Sequence, residues 1–145
     1  MRTDTDADER QVALLDTSTA VALVVEDHEA HVATLDAVRG RRLGLAGHAW
    51  FETYSVLTRL PPGLRRSPAD ALRLLARNFP ASRFLGEGEA ADLGGDMARL
   101  GISGGAVYDA LVGAAARQHR LPLVSADTRA RSIYEALGVE IDLIP

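Results

Sequence analysis

Three features of the sequence predict an α/β fold, a three-layer sandwich with a central, mostly parallel sheet flanked by helices. Short apolar runs recur at Val12-Ala13-Leu14-Leu15, at Leu121-Pro122-Leu123-Val124-Ser125 and from Val139 to Ile144. Segments with helical periodicity or helix caps separate them. The runs are short and bounded by turn chemistry, as expected of strands covered by helices on both sides.

The elements follow in order. Val12 to Leu15 is a buried strand, and Thr17 to Val25 and His28 to Val38 read as helices after it. Arg42-Leu43-Gly44-Leu45-Ala46 is a weaker strand candidate. His48 to Leu60 presents Trp50, Tyr54, Leu57 and Leu60 on a broad apolar face, and Pro61-Pro62-Gly63 stops it. Ser67-Pro68 supplies a cap and a proline for the first helical position, so a helix runs from there to about Asn78. Ser82 to Leu85 is a further strand candidate. Glu87 to Leu100 reads as a helix despite Gly94-Gly95, which weaken it by about 1 kcal/mol each. Ile102 to Arg120 is an Ala-rich helix entered through Gly104-Gly105. A strand over 121–125, a helix from Thr128 to Leu137 ended by Gly138, and a last strand from Val139 to Ile144 complete the chain.

At 145 residues, 47% hydrophobic and 25% charged, the chain has the size and balance of one domain with an ordinary core. Residues 1–10 are polar, with acids at Asp4, Asp6, Asp8 and Glu9, and read as a disordered leader before a single domain over 11–145. The absence of cysteine excludes disulfides, thiolate zinc sites and cysteine nucleophiles. No apolar run reaches the roughly 20 residues of a membrane span and the N-terminus is not signal-like, which predicts a soluble cytoplasmic protein. The net charge of -4 argues against coating nucleic acid by bulk charge. All 16 basic residues are arginine, several of them clustered, and arginine makes forked contacts to phosphate as well as solvating a surface.

Four carboxylates stand in unusual places. Asp16 is the only charge between Arg10 and Glu26 and directly follows the first apolar strand. In open parallel sheets, ligands sit outside the carboxyl ends of the strands. Asp109 is the only charge from Gly101 to Ala116, with Val112, Gly113 and Ala116 on its helical face, so it must be paired, protonated or bound to metal. Asp127 follows another apolar strand beside Ser125. Asp16 and Asp127 also suit helix capping, and Glu52 suits the first turn of its helix as a solvated acid. Carboxylates converging without cysteine or histidine select a hard cation, magnesium or manganese, over zinc.

Other constellations are weaker. His28 and His31 share a helical spacing but look like an exposed face, and His48 and His119 stand alone. Trp50, Tyr54 and Tyr108 offer rings for base stacking, yet their helical spacing favours core packing. Neither a P-loop nor a dinucleotide-binding glycine motif is present.

The order and surroundings of the acids resemble the PIN-domain ribonucleases, in particular VapC-type toxins of toxin-antitoxin pairs. Leu14-Leu15-Asp16-Thr17-Ser18 resembles the family's first strand with its Asp-x-Ser element. Trp50-Phe51-Glu52-Thr53-Tyr54-Ser55-Val56-Leu57 resembles the helix carrying its glutamate, and 107–116 the helix with the third acid. Leu123-Val124-Ser125-Ala126-Asp127 resembles the terminal strand motif, with serine where threonine is frequent. The resemblance implies cleavage of RNA using magnesium or manganese, a small antitoxin as partner, and a homodimer. It also implies roles: Asp16, Glu52 and Asp109 as metal ligands, Asp127 as a ligand or an acid beside them, and Ser18 and Ser125 orienting carboxylates or water. The alternatives are a catalytically silent module of the same fold and an aspartyl-phosphate phosphatase. The latter expects an acid two residues after the strand-terminal aspartate, where this chain has Ser18.

Overall fold

The computed structural model of the protein describes residues 11–145; the reading of 1–10 as a leader falls outside them. Four strands, β1 (Val12–Leu15), β2 (Arg42–Leu45), β3 (Leu123–Ser125) and β4 (Ile141–Leu143), form one sheet in the order β2-β1-β3-β4. Every pairing is parallel, with Leu15 opposite Leu45 on one side of β1 and Val124 on the other. Seven helices lie among the described residues: α1 (Thr17–Val24), α2 (His31–Val38), α3 (His48–Thr58), α4 (Pro68–Asn78), α5 (Glu87–Leu100), α6 (Ala106–His119) and α7 (Thr128–Ala136).

Strand alternation divides the interior into two cores. Val12 and Leu14 face one side with Leu93 of α5, Ala110, Val112, Ala114 and Ala116 of α6, and Tyr134 of α7. Ala13 and Leu15 face the other with Ala20 of α1, Val38 of α2, Leu57 of α3, and Ala71 and Leu75 of α4. All four residues of β1 are buried, and each such Val or Leu contributes roughly 1.5–3 kcal/mol relative to its exposed state. This double burial is the three-layer sandwich that the sequence predicts.

Most element boundaries follow the local chemistry. Ser67 Oγ accepts from Asp70 N at 3.2 Å and Pro68 opens α4. Three expectations change. The second helix begins at His31 rather than His28, because Ala30 N donates to His28 Nδ1 at 3.0 Å and 28–30 form a turn. The Ala-rich helix begins at Ala106 rather than Ile102, since Gly104 adopts φ +58° outside helical space. Residues 82–85 make no strand, only a bridge between Ala46 and Arg83. The segment still hugs the edge of β2, with Ala81 N donating to Leu43 O and Arg83 N to Leu45 O. A Cβ at Gly44 would lie 2.2 Å from Ala81 O, so only glycine admits that approach.

Two glycines fix the helices around the cleft. Gly47, at φ +52° before α3, would place a Cβ 2.9 Å from Ala115 of α6. Gly113 of α6 would place one 3.1 Å from the Tyr134 ring of α7. Close backbone approach therefore sets the spacing of α3, α6 and α7.

Candidate active site

The chain leaves β1 toward β2 and leaves β3 toward β4, on opposite sides, so the crevice between β1 and β3 is a topological switch point. Asp16 follows β1 and Asp127 follows β3 at that crevice. Asp16, Glu52 from α3, Asp109 from the first turn of α6, and Asp127 line one cleft of about 790 Å³. The structure thus brings together all four acids singled out in the sequence.

Asp16 is buried, and its carboxylate is surrounded by donors. Oδ1 accepts from Thr19 Oγ1 at 2.6 Å, Thr19 N at 3.2 Å and, at a long 3.4 Å, Ser18 Oγ. Oδ2 accepts from Ser125 Oγ at 2.6 Å and Tyr134 OH at 3.2 Å. The Thr19 N contact caps α1, so capping and placement in the cleft coexist in one side chain. Ser125 Oγ also accepts from Asp127 N at 3.1 Å, tying the two strand ends together. Asp127 caps α7 in turn, with Oδ1 accepting from Arg129 N and Ala130 N.

Glu52 is oriented from both sides. Its Oε2 accepts from Thr17 Oγ1 at 2.7 Å, and His48 Nε2 lies 3.3 Å from Oε1. His48, isolated in the sequence, is therefore a neighbour of the site. Burial holds the Asp109 carboxyl above the ordinary aspartate value, and the charges of Asp127, Glu52 and Asp16 add to the effect. Arg129 opposes them weakly. Burial and the Asp16 charge push the Tyr134 hydroxyl far up, so it stays protonated and remains a donor.

Sequence reasoning missed Tyr134 and Thr19, and it set Thr17 beside Asp16 without linking it to Glu52. Tyr134 shares an apolar stripe with Ala130 of α7 and with Leu137, which caps that helix, and its polar tip was the available signal. Tyr108 reverses an expectation: it does not pack in the core but is 52% exposed on the cleft rim. Trp50 and Tyr54 do pack against the core.

The cleft's chemistry fits a hard divalent cation. Its donors are carboxylate oxygens, and among the described residues no arginine forms an ion pair with any of the four acids. Burial is the first cause of the raised Asp109 pKa, and the charges of Asp127, Glu52 and Asp16 add to it. Among the described residues, no three acidic or histidine side chains close up into a ready-made ion cage.

The chain is thus a parallel α/β sandwich with an acidic cleft at the switch point of its sheet. The model of the PIN domain family matches residues 13–136, and the chain belongs to that family. It is 47% identical over 127 residues to Ribonuclease VapC27 of Mycobacterium tuberculosis, covering 88% of this chain and 93% of that one. It is 40% identical over 131 residues to Ribonuclease VapC40 of Mycobacterium tuberculosis, covering 89% and 96%. Among solved structures, the fold resembles VapBC2 from Rickettsia felis bound to a DNA fragment from its promoter, with a TM-score of 0.66, 11% identity, and coverage of 92% and 99%. It also resembles FitAB bound to a DNA fragment, with a TM-score of 0.62, 21% identity, and coverage of 90% and 94%.

Proposed function

We propose that this chain is a metal-dependent endoribonuclease, the toxin of a toxin-antitoxin pair, and that Asp16, Glu52, Asp109 and Asp127 are its catalytic acids. One observation carries the reading: four carboxylates from four separate segments of the chain line one cleft without an arginine ion pair among the described residues. The likeness to the two VapC ribonucleases supplies the substrate class, RNA. A small antitoxin partner belongs to this reading, supported by the VapBC and FitAB likenesses. So does a homodimer, for which Phe51 and Phe84, 58% and 48% exposed, offer apolar surface. Among the described residues, no helix is long and apolar enough to cross a membrane; action in the cytoplasm is part of the proposal. So is the treatment of 11–145 as one nuclease domain.

Asp16, Glu52 and Asp109 would hold magnesium or manganese, with Asp127 a ligand or a neighbouring acid. The bound cation supplies Lewis acidity that offsets phosphate charge and makes water a nucleophile near neutral pH. Thr19, Ser125 and Tyr134 hold Asp16 in one orientation, so little reorganisation accompanies binding. Thr17 and His48 do the same for Glu52. Burial and the neighbouring acids raise the Asp109 carboxyl pKa, and a cation held there would offset the charge part of that effect. Ser125 acts through Asp16 and the Asp127 backbone, and Ser18 contributes only its long contact.

Incubation of the purified protein with total RNA tests the proposal. Cleavage is expected with magnesium or manganese, to stop in excess chelator, and to be poorly restored by zinc. Undiminished cleavage in chelator would overturn the metal-dependent mechanism.

A further inference from the structure

The cleft presents a physical difficulty for a polyanion. Four acids line it, and among the described residues Arg129 is the one guanidinium in the cleft wall that can hold a phosphate beside the acids. Stacking of a base on an aromatic ring needs no positive charge and tolerates any base.

Such a ring stands at the rim. Tyr108 immediately precedes Asp109 on α6, lines the cleft, and is 52% exposed. Its ring stacks on His48 of α3, with centroids 5.2 Å apart and planes 21° from parallel. His48 in turn lies 3.3 Å from Glu52. The ring is thus braced by a side chain that also touches one of the four acids, and it flanks another in sequence.

We propose that the Tyr108 ring, braced by His48, is a stacking shelf for one unpaired nucleobase beside the phosphodiester cleaved in the acidic cleft, an inference that rests on the ribonuclease reading above. The shelf recognises the flat face of a base rather than its edge. It therefore positions unpaired RNA without selecting a sequence, and disfavours a base still paired and stacked in a helix.

Fluorescence anisotropy in magnesium tests the shelf with two labelled twelve-residue single-stranded oligoribonucleotides, one bearing bases and one abasic throughout. Binding is measured in the Asp109→Asn background so that the probe survives. The base-bearing probe should bind more tightly than the abasic one. Adding Tyr108→Leu, which keeps apolar bulk in a helix but removes the ring, should weaken that probe by about fivefold or more and leave the abasic probe unchanged. Tyr108→Trp should preserve the preference. Equal binding of the two probes, or no effect of Tyr108→Leu, overturns the shelf. Light scattering on the same proteins gives a further decision: if Tyr108→Leu changes the oligomeric state as it weakens binding, the ring serves a contact between two copies and the proposal fails. Cleavage of total RNA by the parent protein is scored separately. A parent that cleaves without any dependence on Tyr108 refutes the shelf alone, whereas a parent that never cleaves refutes the ribonuclease reading itself.

Discussion

The floor and the rim of the cleft carry the same functional group in opposite circumstances. On the floor, Asp16 is buried and receives hydrogen bonds from Ser18, Thr19, Ser125 and Tyr134. On the rim, Asp109 is half-buried and its carboxyl is held above its ordinary value, by burial first and by three neighbouring acids after it. Donors from Ser18, Thr19, Ser125 and Tyr134 compensate the buried Asp16 carboxylate, whereas neighbouring acids crowd Asp109. The floor is a finished polar network. The rim carries unrelieved repulsion that a cation can offset.

That contrast gives three stability predictions for the metal-free protein. The largest effect belongs to Asp16→Ala, which removes a helix cap and strands the hydroxyls of Thr19, Ser125 and Tyr134 in the interior. We expect a loss of about 3 kcal/mol, or roughly 10 °C in the melting temperature. A melting curve superimposable on the parent's would mean that the floor is not a cooperative network.

Tyr134→Phe comes next. It deletes one donor while Ser125 still serves the same oxygen, so stability should fall by about 1 kcal/mol. Catalysis should suffer more, roughly 10- to 100-fold, because the orientation of Asp16 is loosened. Turnover of RNA beside thermal melting checks both halves, and equal sensitivity of the two would count against an orienting role.

The smallest effect has the opposite sign. Asp109→Asn should abolish cleavage yet melt at or above the parent at pH 7 in chelator. The folded pKa is raised, so the stability associated with the protonated group is complete below the unfolded value, near 4, and is lost as pH rises through the folded value. Neutralising the group removes that loss, and the advantage should close as pH falls toward 4. Melting curves from pH 4 to 7 decide it. A mutant far less stable than the parent at pH 7 would place Asp109 in a structural pairing instead.

Asp16 and Asp109 were legible because each interrupts an otherwise uncharged stretch, Asp127 because it follows an apolar strand, and Glu52 through the family resemblance of its helix. The parallel sheet was legible for a related reason: strands buried on both faces show as unbroken apolar runs. The orienting hydroxyls were harder to see. Tyr134 lies 118 residues from Asp16, and only the packing of α7 on α6 brings them together. Thr19 was in local reach, because an aspartate cap contacts the third residue into its helix. The Asp-x-Ser pattern pointed instead to Ser18, which is exposed and only distantly engaged. Tyr108 was misplaced because helical spacing predicts a packed face only while the helix is covered. The first turn of α6 stands at the cleft mouth.

The helix α6 also works as a ruler. Gly47 presses its neighbour α3 against Ala115, and Gly113 receives the ring of Tyr134 from α7. The distances separating Glu52, Asp109 and the Asp16 network are thus calibrated by two hydrogen atoms standing where side chains would otherwise be. A single methyl group on this ruler would rescale the cleft without touching any acid in it, so the metric of the site is written in residues that carry no chemistry of their own.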